Sequence, residues 1–377
     1  MPLRNTMPLR LGLSGALLLA ASVALAADAT PFKLGTFANN GQQYLGLVLD
    51  DRHVVDIAAA NARFQSSNAG AARLDIPSDM KELIARYERE LGPRLRELAS
   101  FAAANLSADY VREVDSLRVL PPVMPSVILN AAANYPEHAQ GIIEQGARAA
   151  GAAPGGGAPA NFPAPPPPQS MPGYWTRPEG DTRTTNPYLF LKSPTTVVGA
   201  HDDVVIPRGR DQVDWECEFA VVIGATAKHV SVENIQDYIF GYTIEFDVSD
   251  RGGRGDRKVG GGPDWLLQKN HDTFGPIGPY IVPKEFFPNP MNTRHYFTLN
   301  GEIFQDSNTS RMEYSIWELT SYATNMLTLN PGDIVAAGSP SGTNIERAEP
   351  RWMQHGDVGV CAIEGLGEQR HNIVAER

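Results

Sequence analysis

The chain is poor in cysteine: Cys217 and Cys361 are its only two in 377 residues. Two thiolates do not make a zinc site of the four-ligand kind. It is also short of positive charge, with 32 Lys and Arg against 43 Asp and Glu and a formal net charge of -11. That balance argues against nonspecific binding to nucleic acid or to an anionic membrane. No repeat period and no heptad array is present. Beyond the N-terminal leader, no apolar run is long enough to span a bilayer. Apolar residues themselves are plentiful, at 42%. That is enough for a sizeable core in one large domain or two smaller ones.

The leader is a basic start (Arg4, Arg10), the run LGLSGALLLAASVALA and an A-x-A signal at Ala24-Leu25-Ala26. This pattern predicts a secretory signal peptide at residues 1–26 and an exported protein, periplasmic or secreted. No stable membrane insertion is expected after cleavage. An oxidising compartment allows Cys217 and Cys361 to pair. Both, however, lie in strand-like apolar runs, where cysteine packs as a small core residue. Two buried thiols are therefore the preferred reading, and a disulfide is the alternative.

Residues 32–56 alternate short apolar runs with NNG and DD turns and read as an antiparallel meander. A helix pattern follows, with Leu83, Ile84, Tyr87 and Leu91 at helical spacing. Pro121 and Pro122 close this part, which gives a small N-terminal β/α domain at 27–120 and a second domain at 121–377. The stretch at 147–174 is rich in Ala, Gly and Pro and includes four consecutive prolines. It is expected to be a loop insertion, either a cover for a cleft or a decoration. Thereafter short β-type runs dominate, with one helical pattern at SIWELTSYATNML. The fold class is α+β and rich in strand.

The segment DWECEFAVVIG places Glu216 and Glu218 two residues apart in an apolar run. In a strand they share a face, while Trp215, Cys217 and Phe219 point the other way. An E-x-E pair is most often the exposed face of an edge strand. The unbroken AVVIG run instead predicts a strand covered on both sides. Two buried like charges call for a cation, and oxygen-only ligands suit Mg²⁺, Mn²⁺ or Ca²⁺. Downstream, Asp247 ends an apolar strand, with Asp250 and Glu245 as competitors that spacing does not separate.

DWECEFAVVIG, GYTIEFDVSDR, LLQKNHDTFGPIGPYIV, LNPGDIVAAGSPSG and HGDVGVCAIEGLGEQRHNIV stand in this order over residues 125–375. Together they resemble the fumarylacetoacetate hydrolase family. The resemblance implies a mixed β-roll, a homodimer, and one Mg²⁺ or Mn²⁺ held by Glu216, Glu218 and Asp247. It implies Lys269 as a catalytic residue near the metal, with Arg251, Ser339 and Tyr135 binding substrate. His138, in NYPEHAQG, is implied as the base on a lid helix. Where relatives place a Glu three residues after that His, this chain has Gly141. Glu137 and Glu144 of the same segment face elsewhere. Glu346 and Glu349, in a later loop, are the candidates for the missing acid.

The function implied is hydrolytic cleavage of a C–C bond in an acylpyruvate or related diketo acid. One alternative is an isomerase, decarboxylase or lyase acting on a 2-oxo acid with the same metal. The other is a 2-oxo-acid binding protein without turnover.

Overall fold

The computed structural model describes residues 30–149, 168–254 and 264–377. The expected signal peptide, and residues 150–167 of the expected insertion, lie outside the described residues.

Turn chemistry sets the start of the fold. Asn40 and Gly41 have φ of 50° and 81°, the left-handed geometry that a two-residue hairpin turn needs. They join β1 (Lys33–Asn39) to β2 (Gln42–Leu49). Asp50 and Asp51, at φ 48° and 56°, carry β2 into β3 (His53–Asp56). Asp56 caps helix α1 (Ile57–Ser67) by accepting the Ala59 N–H at 3.0 Å. Helices α2 (Met80–Arg86) and α3 (Gly92–Ala103) follow, joined by a π-helical turn at Tyr87–Leu91. Leu83, Ile84, Tyr87 and Leu91 are buried, as their spacing predicts. They pack in one core with Ala220, Val222 and Phe240 of the main sheet.

That sheet contains β4 (Ile128–Ala131), β5 (Leu189–Lys192), β6 (Cys217–Ile223), β7 (Ile239–Phe246) and β8 (Gly275–Pro283). A second sheet is built from β9 (Arg294–Leu299) and β10 (Glu302–Asn308), with β12 (Val358–Ile363) and β13 (Gly367–Ala375). The intervening β11 (Ile334–Ala336) returns to the main sheet, whose order runs β3-β2-β1-β8-β7-β6-β11-β4-β5. Leu34 of β1 pairs with Ile281 of β8, so the meander extends the main sheet. β11 and β4 run parallel while β6 is antiparallel to both neighbours, so the sheet is mixed. Every residue of β6 is buried, as a strand paired on both edges and covered on both faces requires. The second sheet, ordered β10-β9-β12-β13, packs against β6 and β7 through Phe219, Phe246, Phe297, Ile363 and Ile373. Neither sheet closes into a barrel among the described residues. This is the strand-rich α+β roll that the sequence predicts.

Three further helices are α4 (Pro136–Ala149), α5 (Trp265–Lys269) and α6 (Ile316–Met326). Helix α6 opens with a capping box between Ser315 and Glu318. No helix among the described residues is long and apolar enough to cross a membrane.

One expectation is corrected. Cys217 on β6 and Cys361 on β12 form a disulfide with a Cα–Cα distance of 5.4 Å. Each points into the core, as its strand position predicts. Strand parity does not reveal that these two core positions face each other across two sheets, 144 residues apart in sequence.

Candidate metal centre

Glu216 and Glu218 enter the centre from the start of β6, while Trp215, Cys217 and Phe219 take the core side and are wholly buried. Trp215 stacks on Phe297 with ring centroids 5.2 Å apart, which holds the alternation in place. Cys217 pairs with Phe246 in the β6–β7 register. The next residue, Asp247, donates its N–H to Glu216 O at 2.9 Å. One carboxylate oxygen from each of Glu216, Glu218 and Asp247 then lies within 4.8 Å of the others, and all three residues are buried. The competitors have other partners. Asp250 pairs with Arg210 and accepts the Gly252 N–H at 2.9 Å. Glu245 accepts from Asn130 Nδ2 at 2.9 Å.

Cations surround the cluster. Lys269 Nζ donates to Glu216 Oε2 at 2.7 Å and to Asp247 Oδ2 at 2.5 Å. Lys192 Nζ binds the other Asp247 oxygen and reaches Val248 O at 3.3 Å. Arg251 pairs with Glu216 and, through Nε, with Asp214 Oδ2 at 3.1 Å. Five buried carboxylates (Asp214, Glu216, Glu218, Glu245 and Asp247) thus face three cations. The shortfall of two positive charges is what a divalent cation supplies.

The protonation equilibria show the same shortfall. Burial, reinforced by Asp247, Glu245 and Glu216, pushes the Glu218 carboxyl well above the carboxylate range. Burial also raises Glu245 to about 8, with Lys192 opposing and Asp247 adding to the rise. Glu216 goes the other way: burial opposes its charge, but Lys269 and Arg251 outweigh burial and hold the carboxyl down. Burial likewise opposes the charge of Lys269, and Asp247 and Glu216 overcome it. The oxygens of Glu245 (Oε1) and Asn130 (Oδ1) are buried and accept no hydrogen bond, Lys192 Nζ standing 4.0 Å from the former. A hard, oxygen-loving dication fits this donor set.

His138 lies in the first turn of α4 and is 3% exposed. Its Nδ1 donates to Glu346 Oε1, and its Nε2 stands 3.9 Å from Glu216 Oε1. Glu346 is fixed in turn by the Thr343 hydroxyl at 2.7 Å and the Gly342 N–H at 3.1 Å. Glu346, rather than Glu349, is therefore the acid that meets the histidine. Gly141 explains its position: a Cβ there would lie 2.5 Å from Glu346 Cγ. The residue that lacks the acid makes room for the one that brings it.

The remaining expected residues are placed as follows. Ser339, 2% exposed, follows Gly338, whose N–H donates to Glu218 Oε2 at 2.9 Å. Gly338 has φ 89°, and a Cβ there would meet Ala131 O and Asn134 Cβ, each at 2.9 Å. Asn134 holds this turn by donating to Ala337 O at 2.8 Å and to Tyr314 O at 2.9 Å. Tyr135 is fully buried, with its hydroxyl on His295 Nε2 at 3.1 Å, an internal partner rather than an open one.

The sequence reading missed Lys192, Asp214, Asn130 and Thr343. Lys192 had a signal: in LFLK it is in phase with Phe190 on the buried face of β5. Asp214 had one as well, standing two residues before Glu216 and in phase with it in DWECEF; Asn130 and Thr343 carry none. A cleft of about 750 Å³ lined by Lys33, Tyr280, Arg294 and Tyr296 contains no residue of this cluster. Its acids, Asp51, Glu364 and Glu368, do not form a metal-ligating group among the described residues, and it is not the centre described here.

The family description "Fumarylacetoacetate (FAA) hydrolase C-terminal" matches residues 161–374. The chain belongs to the fumarylacetoacetate hydrolase family. This member is 39% identical over 182 residues to the mitochondrial oxaloacetate tautomerase Fahd2a of Rattus norvegicus. That match covers 48% of the chain and spans 57% of the relative's length. It is 29% identical over 344 residues to the mitochondrial oxaloacetate tautomerase fahd2 of Xenopus laevis, covering 87% of the chain and 95% of the relative. Among solved structures it is similar to the maleylpyruvate hydrolase of Sphingobium sp. SYK-6 in complex with manganese(II) and pyruvate. There the TM-score is 0.62 and the identity 26%, covering 92% of this chain and all of that one. The expectation of a signal peptide and of a periplasmic or secreted enzyme is corrected: these curated relatives are mitochondrial enzymes, not exported ones.

Proposed function

We propose that this protein is a metal-dependent hydrolase that cleaves a C–C bond in an acylpyruvate or related diketo acid. The observation that carries this reading is the His138–Glu346 pair standing beside the carboxylate cluster. Glu346 binds the Nδ1–H, which leaves Nε2 as the basic nitrogen facing the cluster. Its carboxylate also stabilises the imidazolium formed when Nε2 takes a proton from water. The resulting hydroxide attacks the acyl carbonyl carbon. Collapse of that adduct breaks the C–C bond and leaves the carboxylic acid and the enolate of pyruvate. His138 then returns its proton to the enolate carbon. Lys269 and Arg251 balance the charge of the acids around the substrate, and Ser339 binds the substrate carboxylate.

Glu216, Glu218 and Asp247 would hold Mg²⁺ or Mn²⁺, with Ca²⁺ as the third candidate. When bound, such an ion supplies Lewis-acid stabilisation of the negative charge on the enolate. The manganese and pyruvate in the 26%-identical Sphingobium structure support this choice of ion and substrate class. A homodimer completes the proposal, and sedimentation at micromolar protein checks it.

A second reading is keto-enol tautomerisation of an oxaloacetate-like diacid, favoured by the activity in the name of the 39%-identical rat relative. In that case His138 moves a proton at the carbon next to the keto group, and no bond between carbons breaks. Metal-loaded protein incubated with acetylpyruvate and with oxaloacetate separates the two. Pyruvate and acetate from the first substrate support hydrolysis. An unchanged carbon count, with accelerated loss of enol absorbance from the second, supports tautomerisation.

A further inference from the structure

Gln305 lies on β10 of the second sheet, has no exposed surface, and reaches across to the strand and the turn that form the centre. Its Oε1 accepts the backbone N–H of Cys217 at 3.1 Å, between Glu216 and Glu218. Its Nε2 donates to Pro340 O and to Ser339 Oγ, each at 2.8 Å. Two backbone groups settle which way the amide faces. The Cys217 N–H can only donate, so it meets the amide oxygen. The Pro340 carbonyl can only accept, so it meets the amide nitrogen. Ser339 Oγ is then left with the second amide hydrogen and is an acceptor toward Gln305. Its own hydrogen has one internal acceptor, Pro340 O, at a long 3.3 Å, and that carbonyl is already bonded by Gln305.

We propose that Gln305 is a positioning residue that turns the Ser339 hydroxyl into a donor for an anionic oxygen of the substrate, and so selects a carboxylate. The mechanism is one of polarity rather than shape. A serine hydroxyl can ordinarily donate or accept, and so tolerates either kind of ligand group. With its lone pair taken by an amide N–H, its free function is to donate. A donor in a buried site favours a carboxylate oxygen over a neutral or donating group, because charge-assisted hydrogen bonds are the stronger ones. Gln305 also ties the Ser339 turn to the ligand strand through Cys217, so the donor keeps its place relative to Glu216 and Glu218. This rests on the reading that the centre binds a 2-oxo acid.

The test is a double-mutant cycle on the Mg²⁺-loaded protein, with pyruvate affinity by calorimetry and KM and kcat on acetylpyruvate. Gln305→Met removes both amide functions at similar volume and lets the Ser339 hydroxyl turn to Pro340 O. It should weaken pyruvate and raise KM roughly tenfold or more, with a smaller change in kcat, the size expected for losing one hydrogen bond to a charged group. In a Ser339→Ala background the same change should add little, because Gln305 acts through that hydroxyl. Gln305→Glu still accepts from Cys217 but receives the Ser339 hydrogen instead of donating, and should reproduce the loss. Melting temperatures identify any variant that fails to fold, and the remaining variant then decides. Equal effects of Gln305→Met with and without Ser339, or no change in KM in either variant, overturn the proposal and leave the functional reading standing. A wild-type protein that neither binds pyruvate nor turns over acetylpyruvate overturns both.

Discussion

Gly141→Ala is a small change whose effects on stability and on chemistry should have opposite signs. The new methyl group would sit 2.5 Å from Glu346 Cγ and 3.0 Å from its Cδ and Oε2. Those are atoms of a flexible side chain, so Glu346 gives way and the fold survives. What is lost is the bond to His138 Nδ1. Replacing a helical glycine with alanine otherwise stabilises by about 1 kcal/mol, or roughly 1–2 °C in melting temperature for a chain of this size. Removing the orienting carboxylate should lower kcat by about 10²-fold, close to 2.7 kcal/mol of barrier. The expected outcome is a protein that melts no lower than wild type and turns over acetylpyruvate about a hundredfold more slowly. Shortening the acid in the same background (Glu346→Asp) should relieve the crowding and recover part of the rate. A stricter version moves the acid back to the helix: Gly141→Glu combined with Glu346→Ala puts a carboxylate three residues from His138, on the same face. That pair should exceed the rate of Glu346→Ala alone. If Gly141→Ala keeps full activity, Glu346 is not the partner that matters and the dyad assignment is wrong.

Other consequences follow from the same geometry. Glu216→Gln, Glu218→Gln and Asp247→Asn should each weaken Mg²⁺ or Mn²⁺ binding at least tenfold by calorimetry, and unchanged affinity in all three would sink the metal centre. Lys192→Met leaves one oxygen of buried Asp247 without its partner, and breaking a buried pair costs about 3–5 kcal/mol. Urea unfolding of the metal-free protein measures this, and a loss below 1 kcal/mol would mean that Lys192 does not hold Asp247. Reduction, or Cys361→Ala together with Cys217→Ala, should lower stability by about 2–5 kcal/mol, since the bridge closes a long loop. Identical urea midpoints with and without reductant would count against the bridge. Burial pushes the His295 imidazole down to about 4, so the unfolded chain binds the extra proton first as pH falls. Stability is therefore retained above pH ~6.5 and declines toward pH 4 by about 3 kcal/mol. In His295→Gln that slope should flatten, and an unchanged slope would refute the assignment.

Several parts of the site were legible in the linear chain because they depend on local periodicity. The alternation in DWECEF separated the packing residues Trp215, Cys217 and Phe219 from Glu216 and Glu218, and the structure preserves that division. The Asn-Gly turn of the meander, the buried run AVVIG and the spacing in α6 are likewise encoded over a few residues. Lys192 was legible in principle, through its phase with Phe190, but a lysine is ordinarily assigned to solvent.

What folding alone decided is which distant residues meet. Glu346 reaches His138 across 208 positions, Gln305 reaches Cys217 across 88, and Cys361 bridges Cys217 across 144. Residue spacing says which way a side chain points along its own strand or helix. It says nothing of what another strand places opposite, because that depends on sheet order and on how two sheets pack. The amino-acid sequence by itself determined that two acids share a face, and that a histidine opens a helix without an acid one turn on. The tertiary structure added Lys192 and drew Lys269, Arg251 and Asp247, which the family resemblance had implied, around those acids as a charge-balanced site for a dication. It also supplied the loop acid that completes the histidine, in space left by a glycine.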